Sequence, residues 1–165
     1  MKTSQEWFDE YGESHQNPTN KAIHWVCVPV ILFSTLGLFW SIPAGPLSGL
    51  VEGDYAAYAN WASVLMLVSL GFYATLHATI FLGMAAIAVA CLAGNHWIAT
   101  NVEMPLLYVS ILAFVVAWIG QFIGHKIEGK KPSFFQDIQF LLVGPAWLLH
   151  FIYKKVGIPY GKGAA

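Results

Sequence analysis

The chain has 165 residues, of which 57% are hydrophobic, 15% aromatic and 10% charged, with a formal net charge of -1 and a mean hydropathy of +0.59. Soluble domains carry about 25% charged residues, so the composition excludes a disordered chain, argues against a water-soluble one, and makes lipid the solvent for a single all-α domain over 1–165. Every basic residue is Lys, and no broad basic surface is left for nucleic acid.

Residues 1–20 read as a polar, acidic interfacial arm. Trp7, Phe8 and Tyr11 share one helical face, and acids occupy the other. No charged n-region precedes an apolar h-region, so no cleavable signal peptide is expected. Asn20 is the expected N-cap of the first span. The first apolar run, Ala22 to Trp40, covers roughly 28 Å at 1.5 Å per residue, enough for a bilayer core. It contains Pro29, which a membrane helix tolerates when neighbours satisfy the freed carbonyl. Residues 41–60 hold Pro43, Gly45, Pro46, Gly49 and Gly53 and read as a loop.

The second run, Trp61 to Ala93, carries no charge. As one helix it would measure about 50 Å, so two antiparallel helices with a turn near His77 are predicted. Residues 94–103 read as a polar break. A third run, Met104 to Gly124, leads into a basic turn, His125 to Ser133. The last run, Phe134 to Tyr153, is interrupted at Gly144-Pro145. Cys27 and Cys91 lie within apolar runs and read as small buried hydrophobes.

This pattern predicts a polytopic helical membrane protein. It has about four spans, an interfacial arm over 1–20, a bundle over 21–153 and a polar tail over 154–165. Four crossings place the arm and the 126–131 turn on one face, with Lys2, Lys21, Lys126, Lys130 and Lys131. The opposite loops have no Lys. The positive-inside rule sets the lysine-bearing face in the cytoplasm. The membrane is the inner (plasma) membrane in a bacterium or the endoplasmic reticulum in a eukaryote. Lys154, Lys155 and Lys162 join that face if the last run is broken or re-entrant, hinged at Gly144-Pro145.

Six histidines occur. On this topology His15, His24 and His125 collect at the cytoplasmic end. Trp118, Gln121, His125 and Glu128 follow at steps of three, four and three, which is one helical face. Ionisable groups at such depth are costly unless paired, hydrated or bound to a metal. Imidazoles and a carboxylate from separate segments form an N/O ligand set suited to iron, zinc, copper or nickel. The plainer reading stays open: histidines near helix ends also cap carbonyls, and Glu128 with Lys131 is a plain ion-pair spacing. His77 either joins the cluster or makes one interhelical hydrogen bond. His96 falls in the opposite loop, and His150 in the last run.

Two ordered motifs carry a resemblance. One is Tyr11-x3-His15-x-Asn17-Pro18-x-Asn20-x2-Ile23-His24, followed by Val28-Pro29. The other is Gln121-Phe122-Ile123-Gly124-His125-x2-Glu128-x3-Pro132. Together they resemble the Mpo1-like family of small membrane proteins, over roughly Trp7 to Gly157. The resemblance implies an iron(II)-dependent dioxygenase that shortens a 2-hydroxy fatty acid by one carbon with O2. It implies His15, His24 and His125 as the Fe(2+) ligands, and Glu128 as a further ligand or as the partner that orients an imidazole. A layout of this kind assigns substrate or oxygen contacts to Gln121 and Asn17, and attraction of the substrate carboxylate to Lys126 and Lys131. The substrate's tail stays in membrane lipid. Two other readings compete: a metal-dependent lipid hydrolase or hydroxylase, and a non-enzymatic helical membrane protein.

Overall fold

The computed structural model describes residues 2–132 and 139–161. The expected roles of Ser133, Phe134 and Lys162 lie outside the described residues. Six α-helices organise the described chain: α1 (Ser4–Gly12), α2 (Pro18–Trp40), α3 (Trp61–Leu76), α4 (Ala78–Asn101), α5 (Leu106–Glu128) and α6 (Phe140–Val156). Short 3-10 turns at Gly45–Leu47 and Gly53–Tyr58 fill the loop between α2 and α3. No strand occurs among the described residues.

α2, α4 and α5 are long and apolar enough to cross a membrane. α3 is apolar but shorter, 16 residues, or about 24 Å. Side chains such as Leu67, Val68, Leu82, Val89 and Val116 are largely exposed on the outside of the bundle, as lipid-facing residues are.

The break between α3 and α4 falls at His77, where the charge-free run was expected to fold back. His77 has extended backbone and caps α4: the Thr79 N–H donates to its Nδ1 at 3.3 Å. Two other boundaries differ from expectation. The N-cap of α2 is Asn17, not Asn20; its Oδ1 accepts from Thr19 N at 2.9 Å and Asn20 N at 3.4 Å, with Pro18 preset at the first helical position. The polar stretch from Gly94 continues α4 to Asn101, and the chain turns only at Val102–Pro105. Its polar side chains do not open the helix because they find partners. Asn95 is fully buried and donates to the carbonyls of Phe33 (3.2 Å) and Cys91 (2.9 Å).

α2 and α5 form the tightest pair. A Cβ added at Gly124 would lie 2.4 Å from Asn20 Oδ1, and one at Gly120 would lie 2.6 Å from Cys27 Sγ. The two glycines are four residues apart and so share one face. This is the small-xxx-small spacing that lets membrane helices approach backbone to backbone.

The C-terminal run also differs from expectation. α6 continues unbroken through Gly144-Pro145, with Pro145 inside the helix. It packs against α1, α2 and α4. Tyr73 Oη, near the end of α3, donates to the Leu142 carbonyl at 2.9 Å, and Tyr153 Oη donates to the Thr79 carbonyl, at the start of α4, at 2.8 Å. Both ends of α6 therefore bond beside the α3–α4 break. A Cβ added at Gly144 would lie 3.7 Å from Val28 Cγ1, and Phe151 lies 6.3 Å from Trp25; Val28 and Trp25 are both in the first half of α2.

α1 has a Thr3–Glu6 capping box at its start. Its apolar face is turned into protein. Trp7 meets Phe140 at 5.4 Å and Phe72 at 6.1 Å, and Phe8 stacks on His150 at 4.9 Å. Trp7, Phe8 and Tyr11 thus join the main core with Tyr73, Met84, Phe140 and Trp147. The apolar face that amphipathicity picked out in this arm docks on α6.

Candidate metal centre

Three elements deliver the histidines to one point. α2 begins, α5 ends and the α1–α2 connection passes at the same end of the bundle. His24 sits two turns into α2. His125 occupies the last turn of α5, which stops at Gly129 in the left-handed conformation (φ 75°), its N–H bonded to the His125 carbonyl at 3.0 Å. His15 follows α1, its own N–H on the Gly12 carbonyl at 3.0 Å.

The rings converge. Centroids lie 4.3 Å apart for His15–His24, 5.0 Å for His15–His125 and 4.9 Å for His24–His125, with planes steeply inclined to one another. One ligand nitrogen from each lies within 4.8 Å of the other two. Exposure is 0% for His15 and His24 and 5% for His125.

Hydrogen bonding fixes which nitrogen is offered. His15 Nδ1 donates to the Tyr11 carbonyl at 2.6 Å, and His24 Nδ1 donates to the Asn20 carbonyl at 2.9 Å, in each case to the residue four back. That tautomer leaves Nε2 with a bare lone pair. Both Nε2 atoms, and Nδ1 of His125, are buried without a hydrogen-bond partner. A buried nitrogen left unbonded costs about 1–3 kcal/mol. Three such atoms, on rings that each bring a ligand nitrogen within 4.8 Å of the others, are the donor set a divalent metal satisfies, so the residues present fit a metal ion. His15 is outside the membrane-spanning helices. Burial, above all, and then the neighbouring His24 lower its pKa to about 3, keeping the ring neutral and able to ligate.

The surroundings hold this geometry. Tyr11 stacks on His15 at 4.2 Å, and Trp147 of α6 covers it at 5.2 Å. Glu128 does not reach into the cluster. Its oxygens accept from the backbone N–H groups of Gln16 (2.8 Å) and Asn17 (2.9 Å) and from Asn20 Nδ2 (3.0 Å), rather than from Lys131. It therefore staples the end of α5 to the start of α2, a favourable seat for an anion. Asn20 is fully buried and also donates to the Ser14 carbonyl at 3.2 Å.

The other sequence-derived candidates separate. Gln121 is buried one turn before His125 and lines the cavity there. Asn17 spends its side-chain oxygen on the α2 cap. Lys126 and Lys131 are exposed beside the site's helix end. His77 is occupied at the α3–α4 junction, its Nδ1 2.8 Å from Thr79 Oγ1, and it is not among the three clustered rings. His96 packs against Trp40 and Tyr58, at the far end of α2. Sequence reasoning overlooked Tyr11 and Trp147 as walls, Asn20 as a brace, and Gly120-x3-Gly124. The glycine spacing was readable in the sequence; the Trp147 contact had no local signal.

A cavity of about 330 Å³ opens from His125 and Gln121 and runs between α2, α3 and α5, with the start of α6 above it. Its walls are mainly aliphatic and aromatic side chains. The sequence model of the family described as "2-hydroxy-palmitic acid dioxygenase Mpo1-like" matches residues 1–156. No curated protein and no solved structure matches the chain.

Proposed function

The chain belongs to the Mpo1-like family, and from that membership and the three converging imidazoles we propose that it is an iron(II)-dependent dioxygenase of 2-hydroxy fatty acids. The observation that carries the reading is the set of three orphaned ring nitrogens. His15, His24 and His125 hold the ion. Iron(II), when bound, supplies the activation of O2. The overall reaction balances: a 2-hydroxy acid and O2 give the acid one carbon shorter, carbon dioxide and water.

The chain's own residues prepare the site for that chemistry. Tyr11 and Asn20 carbonyls hold their histidines in the ligating tautomer. Tyr11 and Trp147 exclude water from His15. Gln121, facing the cavity beside His125, is assigned the amide contact to the substrate head group. Lys126 and Lys131, exposed at the same helix end, draw the carboxylate toward it. Glu128 and Asn17 act by positioning, through the start of α2. An amphiphile suits this layout, since its head reaches the site while its tail remains in an apolar surround. The site faces the cytoplasm if the lysine-bearing end obeys the positive-inside rule.

The test is aerobic incubation of the iron-loaded protein with a 2-hydroxy fatty acid. Oxygen uptake and product mass are followed together. The expected result is consumption of O2 matched to an acid one carbon shorter. Turnover without oxygen would indicate a hydrolase. Bound metal in the absence of any lipid product would leave a non-enzymatic membrane protein.

A further inference from the structure

The cavity has a definite length, and two helices report it independently. It is walled by α2 from Val28 to Phe39 and by α5 from His125 back to Phe114. Each stretch advances eleven residues, so each wall measures roughly 16 Å at 1.5 Å per residue. The two agree because α2 and α5 run antiparallel. α3 supplies a third side. Its Ser69 hydroxyl donates back to the Leu65 carbonyl at 2.8 Å, so its proton is spent within the helix rather than on a guest. Phe39 stands next to the last residue of α2, and Leu65 lies in the first turns of the oppositely directed α3. The two line the end farthest from the histidines, where Phe39 is partly exposed.

We propose that this trough is a chain-length gauge: it seats the unbranched tail of the acid whose head lies at His125, and Phe39 with Leu65 sets the longest tail that fits straight. The inference rests on the dioxygenase reading for the identity of the head group. Its own support is the continuity of the cavity with His125, its apolar walls and its matched depth along two helices. A tail shorter than the trough leaves apolar surface uncovered. A longer one must bend past the Phe39 ring. One methylene gained or lost in an apolar pocket changes discrimination by about 10–200-fold.

Two measurements test it. The first is photo-crosslinking to the unmutated, metal-free protein in lipid nanodiscs, using a 2-hydroxy fatty acid of palmitic length with a diazirine at its terminal carbon. Adducts on Phe39 or Leu65, displaced by unlabelled 2-hydroxy acid, are expected. Adducts confined to outward residues such as Leu67 and Val68, as for an ordinary bilayer lipid, would overturn the proposal. This readout needs no turnover, so an inactive protein that still gives the Phe39 adduct would count against the dioxygenase reading alone. The second is the kcat/KM profile over a series of chain lengths. Phe39→Ala is expected to raise the preference for longer acids by about tenfold, and Ser69→Leu to shift it to shorter ones. An unchanged profile in both variants would overturn the gauge while leaving the chemistry intact.

Discussion

His15 is fully buried, held between Tyr11, Trp147 and the two other imidazoles. Its folded pKa of about 3 lies below its ordinary value of 6.5. The unfolded chain therefore binds a proton that the folded chain refuses as pH falls from about 6.5 toward about 3. In the metal-free protein the contribution of His15 to stability is expected to be present above about pH 6.5 and to be lost progressively through that window. Thermal unfolding in detergent at a series of pH values checks this, and His15→Gln should flatten the dependence. Glu128 provides a second test at this scale. Removing its charge loosens the N–H groups of Gln16 and Asn17 without touching a ligand nitrogen. Glu128→Gln is expected to weaken metal affinity by about 10–100-fold, as loss of an outer-shell partner does, with unchanged helix content by circular dichroism. His15, His24 and His125 were legible as a set because four crossings bring the arm, the start of the first run and the end of the third to one face of the membrane. The role of Glu128 was not, since the spacing that allows an ion pair with Lys131 says nothing of amides more than a hundred residues away.

At the scale of elements, the α2–α5 pair decides whether His24 and His125 meet. Gly124 lies one residue before His125, and its missing side chain is what lets Asn20 pass. Gly124→Leu is expected to push the helices apart, to cost about 1–3 kcal/mol by overpacking, and to abolish stoichiometric metal binding. Gly94→Leu, a tight glycine against Phe33 far from the site, should destabilise the fold while retaining the metal. Elemental analysis of both purified variants makes the comparison. The helices themselves were largely readable, because long uncharged runs leave the backbone no option in lipid but to satisfy itself as helix. The cap of α2, the extension of α4 and the continuity of α6 were not. A polar residue that signals a break in isolation is accommodated by a neighbouring element, Glu128 beside Asn17 and Phe33 beside Asn95, and Pro145 stays within α6.

For the whole molecule, α1 and α6 act as a plug at the end of the bundle where the histidines lie. Amphipathicity of residues 1–20 showed that Trp7, Phe8 and Tyr11 need an apolar partner, but lipid and α6 satisfy that need equally well on paper. Only the fold chooses α6, and that choice seals His15 from water. The family match over residues 1–156 agrees with a site assembled from both halves of the chain, since no single segment holds more than one of the three rings. One ion shared by His15, His24 and His125 is the premise of the proposed chemistry. The most direct test is X-ray absorption spectroscopy with metal quantification on iron-loaded wild-type protein and on His15→Ala, His24→Ala and His125→Ala. The account predicts one iron per chain with imidazole-nitrogen scattering at roughly 2.0–2.2 Å, and loss of stoichiometric iron in every variant. An ion retained at full occupancy after any two of these substitutions, or a wild-type coordination shell without imidazole, would contradict it.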